Sequence, residues 1–206
     1  IDDNINERNR IKTAIPEVLV PDLPQDPSFY VDTLSKLNCF NKSDFTKEDQ
    51  LRTKFYKDEK KREKIRKNFV SHEAWLKSLK IKVRFEKVDS ENKVRVLQLI
   101  NKTNQMNLTT RRLNEFQLQK IIEDKKVEIK ALRVSDKLGD MGLVGVYVIK
   151  FSKNETNVLD FILSCRAFGR SIENLMVYNI FITSKKNKSK KITFNYLKTK
   201  KNKPCL

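Results

Sequence analysis

The sequence predicts an α/β protein of the α+β kind: a mixed sheet flanked by helices, preceded by a small helical segment. Three observations lead there. Apolar and polar residues alternate with period two in stretches such as Ile81-Lys82-Val83-Arg84-Phe85, as they do in a half-buried strand. From Ile81 onward the elements read strand, helix, helix, three strands, helix, strand. A strand also runs straight into a helix at Ser164–Ser171. The 206 residues are 38% hydrophobic, enough for a sizeable core and too apolar for general disorder. No apolar run reaches membrane-spanning length and no signal peptide opens the chain, so a soluble, cytoplasmic protein is expected. Three unpaired cysteines exclude a disulfide framework, and a lone histidine, His72, argues against structural zinc. The four glycines form neither a P-loop nor a dinucleotide-binding turn.

Taken in order, Asp2–Pro16 reads as the end of a strand and a short helix whose apolar positions are Ile5, Ile11 and Ile15. Pro16, Pro21, Pro24 and Pro27 make the following stretch extended. Asp26-Pro27 opens a helix with Asp as N-cap, burying Phe29, Tyr30, Leu34 and Leu37. Thr46, with Asp49 three residues on, caps a solvated helix reaching about Asn68. Ser71 caps a short helix anchored by Trp75, with His72 at the surface. After the strand at Ile81–Phe85 comes an amphipathic helix, Glu91–Asn101, with Val94, Leu97 and Ile100. The polar stretch Lys102–Arg112 precedes a helix at Leu113–Asp124. Val127–Val134 and Leu143–Phe151 form a hairpin across the Leu138–Gly142 turn. Strands at Asn157–Cys165 and Lys190–Thr199 flank a helix that runs to Thr183.

The net charge is +18, and lysine supplies 32 of the 44 basic residues. The last 22 residues hold nine lysines and no acid. Such a run suits a phosphate-tracking nucleic-acid surface, a plain solvated face in a lysine-biased protein, or a basic rim attracting an acidic protein or phosphorylated ligand. No aromatic-interleaved motif accompanies it, which weighs against nucleic acid.

The strand-to-helix turn reads Arg166-Ala167-Phe168-Gly169-Arg170-Ser171. With the element order, it resembles the R/Q-x-x-G-x-G/A turn of the GNAT acyltransferase fold, with Ser171 in place of the last small residue. In such a turn Gly lets the backbone approach a pyrophosphate, helix N–H groups bind it, and Arg adds charge. A tight turn that simply needs Gly is the competing reading. The block Lys102–Arg112 packs amides, hydroxyls and cations into eleven residues, which reads as a loop binding an anion or a polar acyl group. Thr109, Thr110 or Asn114 can account for part of it as helix caps.

The blocks NKTNQMNLTTRR, DKLGDMGLVGV, FILSCRAFGRSIE and YLKTKKNKP together resemble the C-terminal region of FkbH-like proteins. These are HAD-superfamily enzymes of subfamily IIIC with an appended GNAT-like domain. The chain therefore reads as a C-terminal fragment of a longer protein. Residues 1–16 would be the remnant of the HAD domain, 17–79 a linker and helical segment, and 80–206 a truncated GNAT-like domain. The resemblance implies that Asp2 and Asp3 belong to the last HAD motif, which helps hold Mg²⁺. The nucleophilic DxDxT motif is absent, so this chain is not expected to be a competent phosphatase. It further implies transfer of a glyceryl-like acyl group from a phosphorylated three-carbon acid to an acyl carrier protein, in polyketide, polysaccharide or lipid biosynthesis.

On that reading Thr103, Asn104, Gln105, Arg111 and Arg112 contact the acyl group or carrier. Arg166, Gly169, Arg170 and Ser171 contact the phosphate of phosphopantetheine or coenzyme A. Cys165 is the candidate relay thiol, activated by Arg166 and Arg170, although a thiol ending an apolar strand is commonly buried and inert. A non-catalytic carrier-docking module and a basic nucleic-acid-binding protein are the alternatives.

Overall fold

The computed structural model describes residues 1–40 and 51–205, divided into two compact units, Ile1–Phe45 and Thr46–Leu206. The helical segment expected over 17–79 is shared between them. The expected Thr46 cap and Asp49 lie outside the described residues.

In the first unit, helix α1 spans Ile5–Ala14, and residues 1–4 are not in a strand. Asn4 caps α1 by accepting the Asn6 N–H at 2.9 Å. The buried Arg8 guanidinium donates to the carbonyls of Asp2 and Asp3 at 2.9 and 2.7 Å, fixing the entry to the helix. Ile5, Ile11 and Ile15, the expected apolar positions, are exposed. Asp26 accepts the Ser28 N–H at 2.9 Å and starts a 3₁₀ turn with Pro27 in its first position, which continues into α2, Tyr30–Ser35. Tyr30, Leu34 and Leu37 are half-buried there, whereas Phe29 is exposed.

The second unit opens with α3, Arg52–Arg66, and α4, His72–Leu79. Ser71 caps α4 on the Ala74 N–H, and Lys80 closes it in the left-handed region at φ 52°. Trp75 is buried beneath Arg66, and His72 is exposed. Then follow β1 (Lys82–Lys87), α5 (Lys93–Lys102), a two-residue strand β2 (Met106–Asn107) and α6 (Glu115–Glu123). After these come β3 (Val127–Asp136), β4 (Gly139–Ser152), β5 (Glu155–Leu163), α7 (Ile172–Lys186) and β6 (Lys191–Phe194). Among the described residues no helix is long and apolar enough to cross a membrane.

The sheet order is β1-β3-β4-β5-β2, antiparallel throughout except that β6 lies parallel to β5. The expected class, a mixed sheet flanked by helices, is borne out, and the sheet is mostly antiparallel. Helix α7 packs Ile172, Met176 and Ile180 on one face, against Val144, Tyr147 and Leu163. Helices α5 and α6 cover the other face with Val96, Leu99, Ile100 and Leu118, against Leu143, Val146 and Ile162. The buried face of α5 is thus one step round from the expected Val94 and Leu97, because Val96, Leu99 and Ile100 also keep helical spacing. With both faces covered, β4 is buried almost continuously.

Two irregularities in this sheet shape the site. In β4 the register passes from Gly145↔Leu132 to Leu143↔Arg133, leaving Val144 as the extra residue of a bulge. At the bulge the Leu143 carbonyl accepts from Arg95 at 3.3 Å, while the Val144 carbonyl continues the β4–β5 ladder by accepting the Ser164 N–H at 2.7 Å. The second irregularity is a fork. β6 follows the first half of β5, pairing at Glu155–Val158, then departs after Phe194. The second half of β5 pairs with β2 at Ile162 and Leu163. The departing chain bonds β2's neighbour instead, the Leu197 N–H donating to the Leu108 carbonyl at 2.8 Å. The segment 106–108 is therefore a wedge between β5 and the chain after β6, which ends the expected Lys190–Thr199 strand at Phe194.

Asn202 locks the wedge. Fully buried, it donates to the carbonyls of Asn107 and Leu197 at 3.1 and 2.8 Å and accepts the Thr199 N–H at 2.8 Å. Asn202→Ala strips those carbonyls of a partner and is expected to cost about 2 kcal/mol, read from urea unfolding. A cost indistinguishable from zero would refute this role.

Candidate functional site

A cavity of about 880 Å³ lies within the second unit. One wall is α3, through Phe55, Tyr56, Glu59 and Arg62. The opposite wall is the α5 face bearing Arg95, Gln98 and Leu99, continued by the loop Thr103–Gln105. The strand-to-helix turn contributes Ser164, Cys165 and Arg166, with Met141 beside them. Lys102, Lys200 and Lys201 complete the lining.

Helix α3 has little apolar surface, and buried ion pairs hold it. The Arg62 side chain, 3% exposed, donates Nε and Nη2 to the two Asp136 oxygens at 2.7 and 2.9 Å. Asp136 also accepts the N–H groups of Leu138 and Gly139 at 2.9 and 3.1 Å, so the β3–β4 tip and α3 share one carboxylate. Burial pushes the Asp136 carboxyl up, but the hydrogen bonds from Arg62, Leu138 and Gly139 outweigh it and hold the group below its ordinary value.

The turn is bound to the same helix. Arg170 donates to both Glu59 oxygens at 2.7 Å, and to the Arg166 and Phe168 carbonyls at 2.7 and 3.1 Å. The Arg166 guanidinium lies 4.4 Å from the centre of the Phe55 ring. Gly169 has φ +69°, with open space where a Cβ would project, so its backbone conformation is what calls for glycine.

Of the turn residues, Arg166 lines the cavity; Gly169, Arg170 and Ser171 do not. Arg170 is bonded to Glu59 and the turn's own carbonyls. Cys165 is not buried at a strand end: β5 stops at Leu163, and the thiol is exposed on a short 3₁₀ turn facing the cavity.

The polar block divides in two. Most of it builds the loop. Asn101 brackets Leu113, accepting its N–H at 2.9 Å and donating to its carbonyl at 2.7 Å. Asn107, fully buried, accepts the Thr110 N–H at 2.8 Å and donates to the Thr103 carbonyl at 3.0 Å. Thr109 donates to the buried Asp160 at 3.0 Å, and Arg111 pairs with the same carboxylate. Arg112 bonds the Ile100 carbonyl at 2.8 Å and the Asn104 side chain. Arg111 and Arg112 therefore support the loop and stay off the cavity lining. Helix α6 is capped by Asn114 in a full capping box with Gln117, which leaves Thr109 and Thr110 no capping role. Thr103, Asn104 and Gln105 line the cavity together with Ser164, Cys165 and Arg166.

Asp2 lies in the other unit, its carboxylate accepting the Asn4 N–H at 2.8 Å. Among the described residues no three metal-ligating side chains cluster, and Asp2 and Asp3 do not by themselves make up the Mg²⁺ site that the resemblance implies for a HAD domain. A pantetheine arm does fit the donor set: apolar walls at Phe55, Leu99 and Met141, amides at Gln98, Asn104 and Gln105, and lysines at the rim.

No family model matches the chain, and no curated protein matches its sequence. Among solved structures it is similar to an acetyltransferase from Trypanosoma brucei, at 13% identity and TM-score 0.42, over 57% of this chain and 84% of that one. It is similar to a GNAT family acetyltransferase from Staphylococcus aureus, at 16% identity and TM-score 0.41, over 58% and 89%. A third likeness is to glucosamine-6-phosphate N-acetyltransferase from Arabidopsis thaliana, at 10% identity and TM-score 0.43, over 56% and 83%.

Proposed function

We propose that the chain is the acyl-transfer part of an FkbH-like enzyme, handling a glyceryl-like thioester on the phosphopantetheine arm of an acyl carrier protein or on coenzyme A. The observation that carries the reading is the joint lining of one cavity by Thr103–Gln105 and by Ser164–Arg166. The loop supplies hydroxyl and amide groups that pair with the hydroxyls of a glyceryl group and have no counterpart on acetyl. The turn supplies an exposed thiol. The phosphorylated three-carbon acid and the Mg²⁺ chemistry belong to a HAD domain outside this sequence.

In the transfer step the Cys165 sulfur attacks the thioester carbonyl. A new S–C bond forms, the donor C–S bond breaks, and the Cys165 proton passes to the departing pantetheine sulfur. A second thiol exchange, run in reverse order, delivers the acyl group to the accepting arm. Each exchange trades one thioester for another and needs no oxidant or reductant.

The test offers this chain glyceryl-S-pantetheine and a holo acyl carrier protein, with mass spectrometry of both proteins. The expected result is a glyceryl adduct on the chain, glyceryl transfer to the carrier, and loss of the adduct in Cys165→Ser. Transfer that survives Cys165→Ser at full rate removes the relay and leaves direct attack. Binding without any transfer by the unaltered chain supports the docking module instead.

A further inference from the structure

We propose that the phosphate of the pantetheine ligand is received by Lys102, Lys200 and Lys201 at the cavity rim, and not by the turn at Gly169. This rests on the thioester reading above and adds where the anionic end of the ligand sits.

The three lysines come from two places far apart in the chain. Lys102 is the last residue of α5, and Lys200 and Lys201 follow β6 by more than one turn of chain. All three are exposed and line the same cavity, which places them at its mouth. Their convergence is built, since Lys200 and Lys201 sit between Thr199 and Asn202. Asn202 is fully buried and accepts the Thr199 N–H at 2.8 Å while donating to the Asn107 carbonyl at 3.1 Å. Asn107 in turn donates to the Thr103 carbonyl at 3.0 Å, next to Lys102. One amide relay therefore fixes both halves of the rim.

Charge points the same way. Among the described residues no carboxylate lies within ion-pair distance of Lys102, Lys200 or Lys201. Among the described residues Glu59 is the single acidic side chain on the lining, and it is held by Arg170 and Arg62. Among the described residues the rim is therefore a patch of uncompensated positive charge over a mixed apolar and amide interior. That matches a ligand with a phosphate at one end and an extended amide chain behind it. The turn offers less, because Arg170 is already committed and Gly169 and Ser171 lie off the lining.

The experiment measures binding of pantetheine, 4′-phosphopantetheine and coenzyme A to the 206-residue chain by calorimetry at low and moderate salt. The expected result is that 4′-phosphopantetheine binds about tenfold more tightly than pantetheine, with the advantage shrinking as salt rises. Lys200→Glu combined with Lys201→Glu should erase that ratio. The same charge reversal at Lys185 and Lys186, on the far end of α7, should preserve it. Coenzyme A binding more tightly than 4′-phosphopantetheine supports a free nucleotide donor at the rim, and equal binding supports a carrier-borne arm. Equal affinity for pantetheine and 4′-phosphopantetheine, or a ratio that survives the rim reversal, overturns the proposal. If neither pantetheine nor its phosphate binds, the thioester reading fails along with it.

Discussion

Arg111→Met is expected to cost about 3 kcal/mol, measured by urea unfolding at neutral pH. Asp160 sits in β5 at 1% exposure, reached from the loop side by Thr109 at 3.0 Å and by the Arg111 guanidinium. A buried carboxylate is tolerated because a cation and a hydroxyl both face it. Removing the arginine leaves the carboxylate in place with one neutral donor, which is the costly way to break a buried pair. Removing both charges together, as Arg111→Met with Asp160→Leu, should recover much of the loss, since no charge then stays stranded. An Arg111→Met cost under about 1 kcal/mol would show the pair to be an ordinary surface contact.

That pair also shows what the sequence conceals. Density of donors in Lys102–Arg112 is a real signal, but polarity alone does not say whether a side chain faces a ligand or its own backbone. Here the fork in the sheet decides. A wedge inserted beside β5 has carbonyls and N–H groups with no regular ladder, and side-chain amides satisfy them. Asn107 and Asn202 are such amides, and their meeting explains why NKTNQMN and KTKKNK act together although 95 residues separate those two asparagines. Only Lys102, Thr103, Asn104 and Gln105 of the block line the cavity. Strands and helices with clean periodicity were legible, as in β1, α4, β3 and β5. The two-residue β2 was not, because Met106–Asn107 is too short to carry alternation.

The wall formed by α3 was legible only as a helix. Its contacts run through charges: Arg62 to Asp136 and Glu59 to Arg170 span 74 and 111 residues. Mixed charge on a helix reads as a solvated face, and for most of α3 it is. The exceptions, Asp58 and Arg62, are buried. The sequence signal that marks the partner is local. Asp136 opens DKLGDMG, where a carboxylate is needed to receive the turn N–H groups of Leu138 and Gly139, and the same oxygens are positioned for an arginine from elsewhere.

Asp136→Asn is therefore expected to act on both stability and the cavity. At neutral pH it removes the two-oxygen partner of the Arg62 guanidinium, 3% exposed, leaving among the described residues Glu59 at 3.4 Å and the field of Asp58, and should cost about 3 kcal/mol in urea unfolding. The pH dependence follows from the sign of the shift. The folded carboxyl lies below its ordinary value, and the unfolded one titrates near 3.9. The unfolded chain therefore takes up the proton first as pH falls. Stability from the pair is complete above about pH 5, declines as pH drops through the unfolded value, and is gone once pH is below the folded one. Asp136→Asn should flatten that acid limb while leaving the neutral-to-alkaline part parallel to the parent. Because Phe55, Tyr56 and Glu59 ride on α3, hydrogen exchange in residues 53–66 should quicken in the variant well before the sheet amides respond. An unchanged acid limb, or exchange that quickens equally in β4 and α3, would mean that α3 is held by something other than the Arg62–Asp136 pair.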